Sequence, residues 1–305
     1  MEKKSKFIPK KLTALISLAL LSPHLYSAVV RDDIDYQYFR DFAENKGLFY
    51  VNAMNIPIFN KSGKMIGRML ERAPMMDFSV ADRSGIATLI SPQYVTSVAH
   101  NSGYTEVQFG AQGTNFDAHH FAYKLVDRNN YSGELHYDYH VPRLSKLVTE
   151  VAPIAVSSAG LDANQYLPQS NRFSEYVRVG SGTQYLRTAA NRTSYIAGPY
   201  SYLIGGNSLD LVGNRYGWLD ARSDLFHSHT GVMATYGVPG DSGSPIFAFD
   251  TLENRWVLIG VLNFHTGENA SGNVFSISRT DFIKQKQDED IAGHIVSTEN
   301  NNQFT

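Results

Sequence analysis

Residues 85–101 read GIATLISPQYVTSVAHN, and the fold follows from how this stretch divides. Two apolar runs, Gly85–Ile90 and Tyr94–Ala99, flank a Ser91-Pro92 break. Each is too short for a helix and rich enough in β-branched and aromatic residues for a strand, so the segment reads as a hairpin with His100 at its exit. Outward from this hairpin the same pattern recurs. YVRVG (176–180), SPIFAF (244–249) and RWVLIGVLNF (255–264) are further short strands between Gly, Pro, Asn and Asp turns. Many short strands with regular turn signals indicate an all-β domain. The exception lies near the start, where Ile34, Tyr38, Phe39 and Phe42 recur at helical spacing before a stop at Gly47, predicting a short N-terminal helical segment.

Three separated segments carry groups that could act together. The first is Gly240-Asp241-Ser242-Gly243-Ser244-Pro245, followed by an apolar strand. A serine hydroxyl is a poor nucleophile at neutral pH and needs a neighbouring base and a turn that presents it. Flanking glycines allow the N–H groups of Gly240 and Ser242 to point at one spot, as an oxyanion hole requires. The second is His100, a general-base candidate at an element end. The third is His136-Tyr137-Asp138-Tyr139-His140, where aromatic neighbours would partly bury a carboxylate able to hold the imidazole in one tautomer. Asp127 is the rival acid, but its Arg128-Asn129-Asn130 surroundings read as a solvated turn. The chain order His100, Asp138, Ser242 is that of chymotrypsin and not of subtilisin or the α/β-hydrolases.

Composition sets bounds on the rest. The chain has 305 residues, 43% hydrophobic, with a formal net charge of −2 and no clustered basic face of the kind a nucleic-acid partner requires. It has no cysteine, which removes disulfides, thiol nucleophiles and thiolate metal sites. The pairs His119-His120, His136 with His140, and His227 with His229 lack a third ligand in pattern, so no metal and no other cofactor is expected. Residues 1–28 read as a secretory signal: five lysines, then the apolar run Leu12–Leu21, too short to span a bilayer, with cleavage expected after Ala28. Residues 29–283 form the expected domain, soluble and without stable membrane insertion. Residues 284–305 read as a polar, Asn/Gln-rich tail.

Over roughly 29–282 the sequence resembles the protease domain of the serine protease autotransporters of enteric bacteria, relatives of the IgA-protease type. The resemblance rests on YFRDFAENKGLF (38–49), GIATLISPQYVTSVAHN (85–101), KLVDRNN (124–130), PRLSKLVTEVAP (142–153), RVGSGTQY (178–185) and YGVPGDSGSPIFAFD (236–250). It implies a trypsin-like double β-barrel with His100, Asp138 and Ser242 as catalytic residues. It also implies a monomeric secreted or surface-displayed endopeptidase, exported through the periplasm and acting on extracellular or mucosal host proteins. A β-helical stalk would follow in such proteins, and the chain stops at Thr305 before one. The alternative is a passenger fragment without useful turnover, acting as an adhesin-like binding module. A non-peptide ester hydrolase would instead carry GxSxG in an α/β setting.

Two finer expectations concern the surroundings of Ser242. Tyr236–Pro239 and Val261–His265 should line the specificity pocket, and neither stretch contains an acidic residue, so nothing there favours Arg or Lys at the cleavage site. Asp241 either caps its turn or pairs with a new chain terminus exposed by signal cleavage. RVGSGTQY lacks a nucleotide-binding glycine pattern and reads as a β-turn.

Overall fold

The computed structural model describes residues 28–110, 118–133, 137–213, 215–222, 224–227, 229–265 and 272–301, with side chains to 292. The expected signal segment up to Ser27, and His136, lie outside the described residues.

The fold is mostly β and forms two curled sheets, as the sequence pattern requires. The first sheet has five strands in the spatial order Thr88–Ser91, Tyr94–Thr96, Arg143–Leu144, Phe121–Asp127 and Glu106–Phe109. The second runs Ile204–Asn207, Phe173–Gly180, Pro245–Asp250, Arg255–His265, Gly272–Ile277, Trp218–Arg222 and Leu211–Val212, with Ala155–Val156 added in parallel to Arg255–His265. A smaller sheet pairs Val29–Arg31 with Gln184–Arg187 on one side and Thr235–Tyr236 on the other. The start of the described chain is thereby tied to the strand just before the Ser242 turn.

The N-terminal helix forms over Tyr36–Ala43. Asp35 caps it, its carboxylate accepting the Gln37 N–H at 2.9 Å. Phe39 and Phe42 are buried, and Phe42 packs against Phe49 and Phe78 at 5.4 and 5.2 Å between ring centroids. Burying rings of this size contributes about 1.5–3 kcal/mol each, which is why so short a helix holds. It ends at Ala43, before the expected stop, and Gly47 instead opens a single 3-10 turn.

The end of the chain differs from the sequence reading. Where a polar tail was expected from 284, a helix runs Thr280–Asn301. Its first turn buries Phe282 and Ile283, with Phe282 against Tyr131 at 5.2 Å. Beyond 283, Asp290 accepts the Tyr94 hydroxyl at 2.9 Å and faces Arg143 at 3.5 Å, which attaches the helix to the first sheet. Composition marked this stretch as polar; the contacts that order it come from residues 140–200 positions away.

Candidate active site

The hairpin Thr88–Ser91/Tyr94–Thr96 delivers His100 to the cleft between the two sheets. Its neighbour is set by register. Ser97 and His140 form an antiparallel bridge, with His140 N–H to Ser97 O at 3.1 Å and Ser97 N–H to His140 O at 3.3 Å. Two residues further along each strand, an antiparallel bridge must bring Ala99 and His100 beside Asp138. Asp138 Oδ1 accepts the His100 backbone N–H at 3.0 Å, and Oδ2 takes the ring Nδ1 in a short contact. Tyr137 and Tyr139 are buried on either side, as the flanking aromatics suggested. Burial alone would raise the Asp138 pKa, but the ring and backbone donors of His100 outweigh it and hold the carboxyl below its usual range. The Asp138 carbonyl also accepts the Ser276 hydroxyl at 3.1 Å, and Asn263 donates to that hydroxyl at 3.2 Å, so the second sheet braces the acid of the first. Asp127 lies at the exposed end of its strand, where it accepts the Asn129 N–H at 3.0 Å; it takes no part in the cleft.

Ser242 stands in the turn before the strand Pro245–Asp250. Gly240 (φ +101°) and Gly243 (φ +86°) take conformations that L side chains rarely adopt. A Cβ at Gly243 would also lie 2.1 Å from Ser97 Oγ and 2.3 Å from the Ile86 carbonyl, so the seam between the sheets closes only on glycine. The turn is pinned by Asp241 N–H to Val238 O at 3.0 Å, Gly243 N–H to Leu262 O at 2.8 Å and Ser244 N–H to Asp241 O at 2.8 Å. Among the described residues the N–H groups of Gly240 and Ser242 are not drawn into hydrogen bonds. His100 and Ser242 line one cleft of about 390 Å³, together with Val238, Pro239, Leu262, Asn263, Phe264 and His265. Six of these residues fall in the two stretches named from sequence, of which Tyr236, Gly237 and Val261 do not line the cleft, and none of the lining side chains is acidic.

Asp241 is fully buried, and four groups converge on it. Its Oδ1 accepts the Gly182 N–H at 2.7 Å; its Oδ2 accepts the Ala28 N–H at 3.1 Å and the Val238 N–H at 3.4 Å, and faces Arg178 at 3.5 Å. RVGSGTQY is therefore more than a turn: it supplies Arg178 and Gly182 to this carboxylate. Ala28, expected as the last residue of the signal, is 0% exposed and folded into the domain at φ +30°.

Buried polar groups support the hairpin from behind. The carboxylate of Asp82 accepts the N–H groups of Ile86, Ala87 and Ser84 at 2.8, 2.9 and 3.1 Å. Burial outweighs these donors and pushes its pKa up to about 6. His140 is fully buried; Tyr104 donates its hydroxyl to Nε2 at 2.7 Å, and Nδ1–H donates to Asn130 Oδ1 at 3.2 Å. Burial, and then the charge of Arg128, push the His140 pKa down to about 3. In the unfolded chain the ring returns to 6.5, so between these values the unfolded state binds the extra proton. The stability that His140 contributes is complete above pH 6.5 and is lost as pH falls toward 3. At pH 5 the loss is about 2 kcal/mol. Urea unfolding at pH 7 and pH 5 should show this drop, and His140→Gln should show a smaller one; equal drops would assign the acid sensitivity elsewhere.

Of the histidine pairs set aside as metal ligands, His119 packs edge-on against Phe121, and His227 and His229 lie ring to ring at 5.3 Å. Among the described residues no group of three or more His, Asp or Glu side chains is placed to hold a metal ion.

A His–Asp pair held by strand register lines one cleft with a glycine-flanked serine at the seam of two curled sheets, and the fold is of the chymotrypsin-like class. The chain belongs to the Peptidase S6, immunoglobulin A1 protease family, whose model matches residues 27–281. It is 40% identical over 311 residues to an adhesion and penetration protein autotransporter of Haemophilus influenzae, across 99% of this chain and 22% of that protein. It is 35% identical over 337 residues to the immunoglobulin A1 protease autotransporter of the same species, across 93% and 20%. It is 40% identical over 298 residues to the serine protease SepA autotransporter of Shigella flexneri, across 94% and 21%. The chain thus spans about a fifth of the length of these relatives. The crystal structure of the Haemophilus influenzae Hap adhesin superposes with a TM-score of 0.76 at 41% identity, covering 84% of this chain and 27% of that one.

Proposed function

We propose that this chain is the protease part of a secreted autotransporter passenger, a serine endopeptidase that cleaves extracellular host proteins. The observation that carries the reading is the His100 ring, fixed by Asp138 and lining the same cleft as Ser242. Substrate lies extended beside Asn263–His265, adding hydrogen bonds to that strand. His100 accepts the Ser242 hydroxyl proton as the oxygen attacks the scissile carbonyl, and Asp138 stabilises the imidazolium that results. The N–H groups of Gly240 and Ser242 receive the oxyanion. His100 then protonates the leaving amine, and water, activated the same way, releases the acyl half. The relatives' names include an immunoglobulin A1 protease, an adhesion and penetration protein and serine proteases, which supports a host protein as substrate and export through the periplasm as the route.

The mature chain begins at Ala28 in this reading, one residue before the boundary expected from sequence. A residue other than glycine at φ +30° is strained while a peptide bond precedes it. Cleavage before Ala28 removes that torsion and turns its amide into an ammonium beside Asp241.

The pocket next to Ser242 offers Val238, Pro239, Leu262 and Phe264 and, among the described residues, no carboxylate. An apolar residue should therefore precede the scissile bond. Digesting a peptide library with the chain from Ala28 and sequencing the new termini tests both points. Leu, Met or Phe should be favoured over Lys or Asp at that position by about 100-fold. No cleavage, or cleavage that survives a fluorophosphonate, would overturn the proposal.

A further inference from the structure

A second cleft, of about 360 Å³, opens on the first-sheet side of the nucleophile and has no part in the chemistry described above. Ser84, Ile86, Asn101, Gly103, Tyr104 and Tyr200 line it. Asn101 ties its wall to the site: its side-chain amide donates to the Ser242 carbonyl oxygen at 2.6 Å. The chain holds this wall in place from both sides of the seam. Asp82 fixes the turn carrying Ser84 and Ile86, and Arg128 donates to the backbone carbonyls of Asn101 and Tyr104. Tyr200 comes from the other side. Its N–H donates to the Ser181 carbonyl at 2.6 Å, and the Ser181 hydroxyl reaches the Ser84 carbonyl.

Tyr200 is 52% exposed, as several other tyrosines are, but its backbone sits at φ +61°. Most other non-glycine residues with positive φ in this structure are asparagines, which tolerate that region. Strain of this kind persists where the surroundings hold a side chain in a particular place. Here it stands an aromatic ring at the edge of a cleft that already contains the ring of Tyr104 and the side chain of Ile86.

The two clefts share no lining residue, and Asn101, in the wall of the second, is bonded to Ser242. With the substrate carbonyl carbon at Ser242 Oγ and its oxygen toward the Gly240 and Ser242 N–H groups, the acyl half runs along Asn263–His265 into the pocket of Val238, Pro239 and Leu262. The leaving half must pass over Asn101 toward the first sheet. We propose that the second cleft is the subsite for the residue immediately after the scissile bond, and that it selects an uncharged, apolar side chain there through Tyr200, Tyr104 and Ile86. None of its lining side chains is charged, so an acidic or basic residue would lose water without gaining a partner. The inference rests on Ser242 being the acylated nucleophile.

Acyl transfer reads this subsite apart from the pocket on the acyl side. A peptide ester acylates Ser242, and an added amino-acid amide then competes with water. The amine nitrogen bonds to the acyl carbon, the ester C–Oγ bond breaks, and an amine proton returns through His100 to Oγ. Leucinamide should capture the acyl-enzyme about tenfold better than glycinamide, relative to hydrolysis, and aspartic acid amide no better than glycinamide. Tyr200→Asn, which keeps a residue suited to positive φ, should lower the leucinamide preference about fivefold, whereas Tyr200→Phe should retain it. Equal capture of leucinamide and glycinamide, or an unchanged preference in Tyr200→Asn, would overturn the subsite. Fluorophosphonate labelling of Ser242 in the unmodified chain tests the underlying reading by itself: labelling with equal capture removes the subsite alone, and absence of labelling removes the protease reading.

Discussion

Replacing Ser242 by alanine should lower kcat for peptide cleavage by roughly four to six orders of magnitude while leaving the thermal midpoint within a few degrees of the parent. The two halves of this expectation have separate causes. The substitution removes only the Ser242 hydroxyl; the turn that carries it is held by backbone bonds from Asp241, Gly243 and Ser244, which alanine keeps. The fold therefore survives. Catalysis does not, because without Oγ the paired imidazole of His100 has no proton to accept and no acyl-enzyme forms. Residual turnover should come only from polarisation of the substrate carbonyl by the Gly240 and Ser242 N–H groups. Asp138→Asn should cost about 10⁴-fold, since an amide leaves the imidazole free to take the wrong tautomer. Steady-state kinetics on one peptide, with circular dichroism melts of the same samples, separate these effects. A melt that collapses with the activity would mean that Ser242 is structural.

The second large effect is expected at the other end of the chain. A protein beginning at Ala28 should be active, and one with a Gly-Ser extension before Ala28 should lose at least about 100-fold in kcat/KM. Ala28 is 0% exposed, and its backbone N–H, an amide while a peptide bond precedes it, donates to Asp241 Oδ2 at 3.1 Å. An extension keeps an amide, with its strained torsion, where cleavage before Ala28 would set an ammonium beside Asp241. Without that ammonium, Asp241 keeps Arg178 as its charged partner. Removing one partner from a buried charge costs about 3–5 kcal/mol. The turn from Val238 to Ser244 would absorb that cost by rearranging, and the two oxyanion N–H groups lie within this turn. Asp241→Asn should reproduce the loss in the chain that starts at Ala28. If the extended protein equals the parent in kcat/KM, Ala28 is only a packed residue and activation by cleavage is wrong. The buried Arg178 makes the comparison informative, because its own pKa is held down by burial and partly restored by Asp241. Arg178→Met should destabilise the fold through an unpaired Asp241 even in the Ala28 form.

The parts of this site that were legible in the sequence are those whose meaning is local. Gly240–Pro245 reads as a turn with glycine flanks, and Gly240 and Gly243 do take positive φ. The hairpin ending at His100 follows from two short apolar runs and a Ser-Pro break. The choice of Asp138 over Asp127 followed from the aromatic neighbours of one and the polar neighbours of the other, and Tyr137 and Tyr139 are indeed buried while Asp127 is exposed. What escaped notice depends on groups that meet only after folding. Arg178 and Gly182, the latter 59 positions away, converge on Asp241; a chain terminus beside Asp241 was one of two sequence expectations, placed at Val29 where the neighbour is Ala28. No periodicity or motif encodes such a meeting. The Ser276 bridge to Asp138 spans 138 positions and is equally silent in the sequence. The terminal helix was missed for a related reason: its order depends on Tyr94, Tyr131 and Arg143, far from the stretch itself. Tyr200 has no signature beyond being an aromatic residue in a turn; its positive φ and its place beside Asn101 are visible only in three dimensions.

Mass spectrometry after fluorophosphonate treatment of the folded chain from Ala28 tests most directly whether His100, Asp138 and Ser242 act as one unit. A single adduct on the peptide containing Ser242, absent in His100→Ala and strongly slowed in Asp138→Asn, is the expected result. A parent protein that stays unmodified at Ser242, or a His100→Ala protein that labels as fast as the parent, would contradict it.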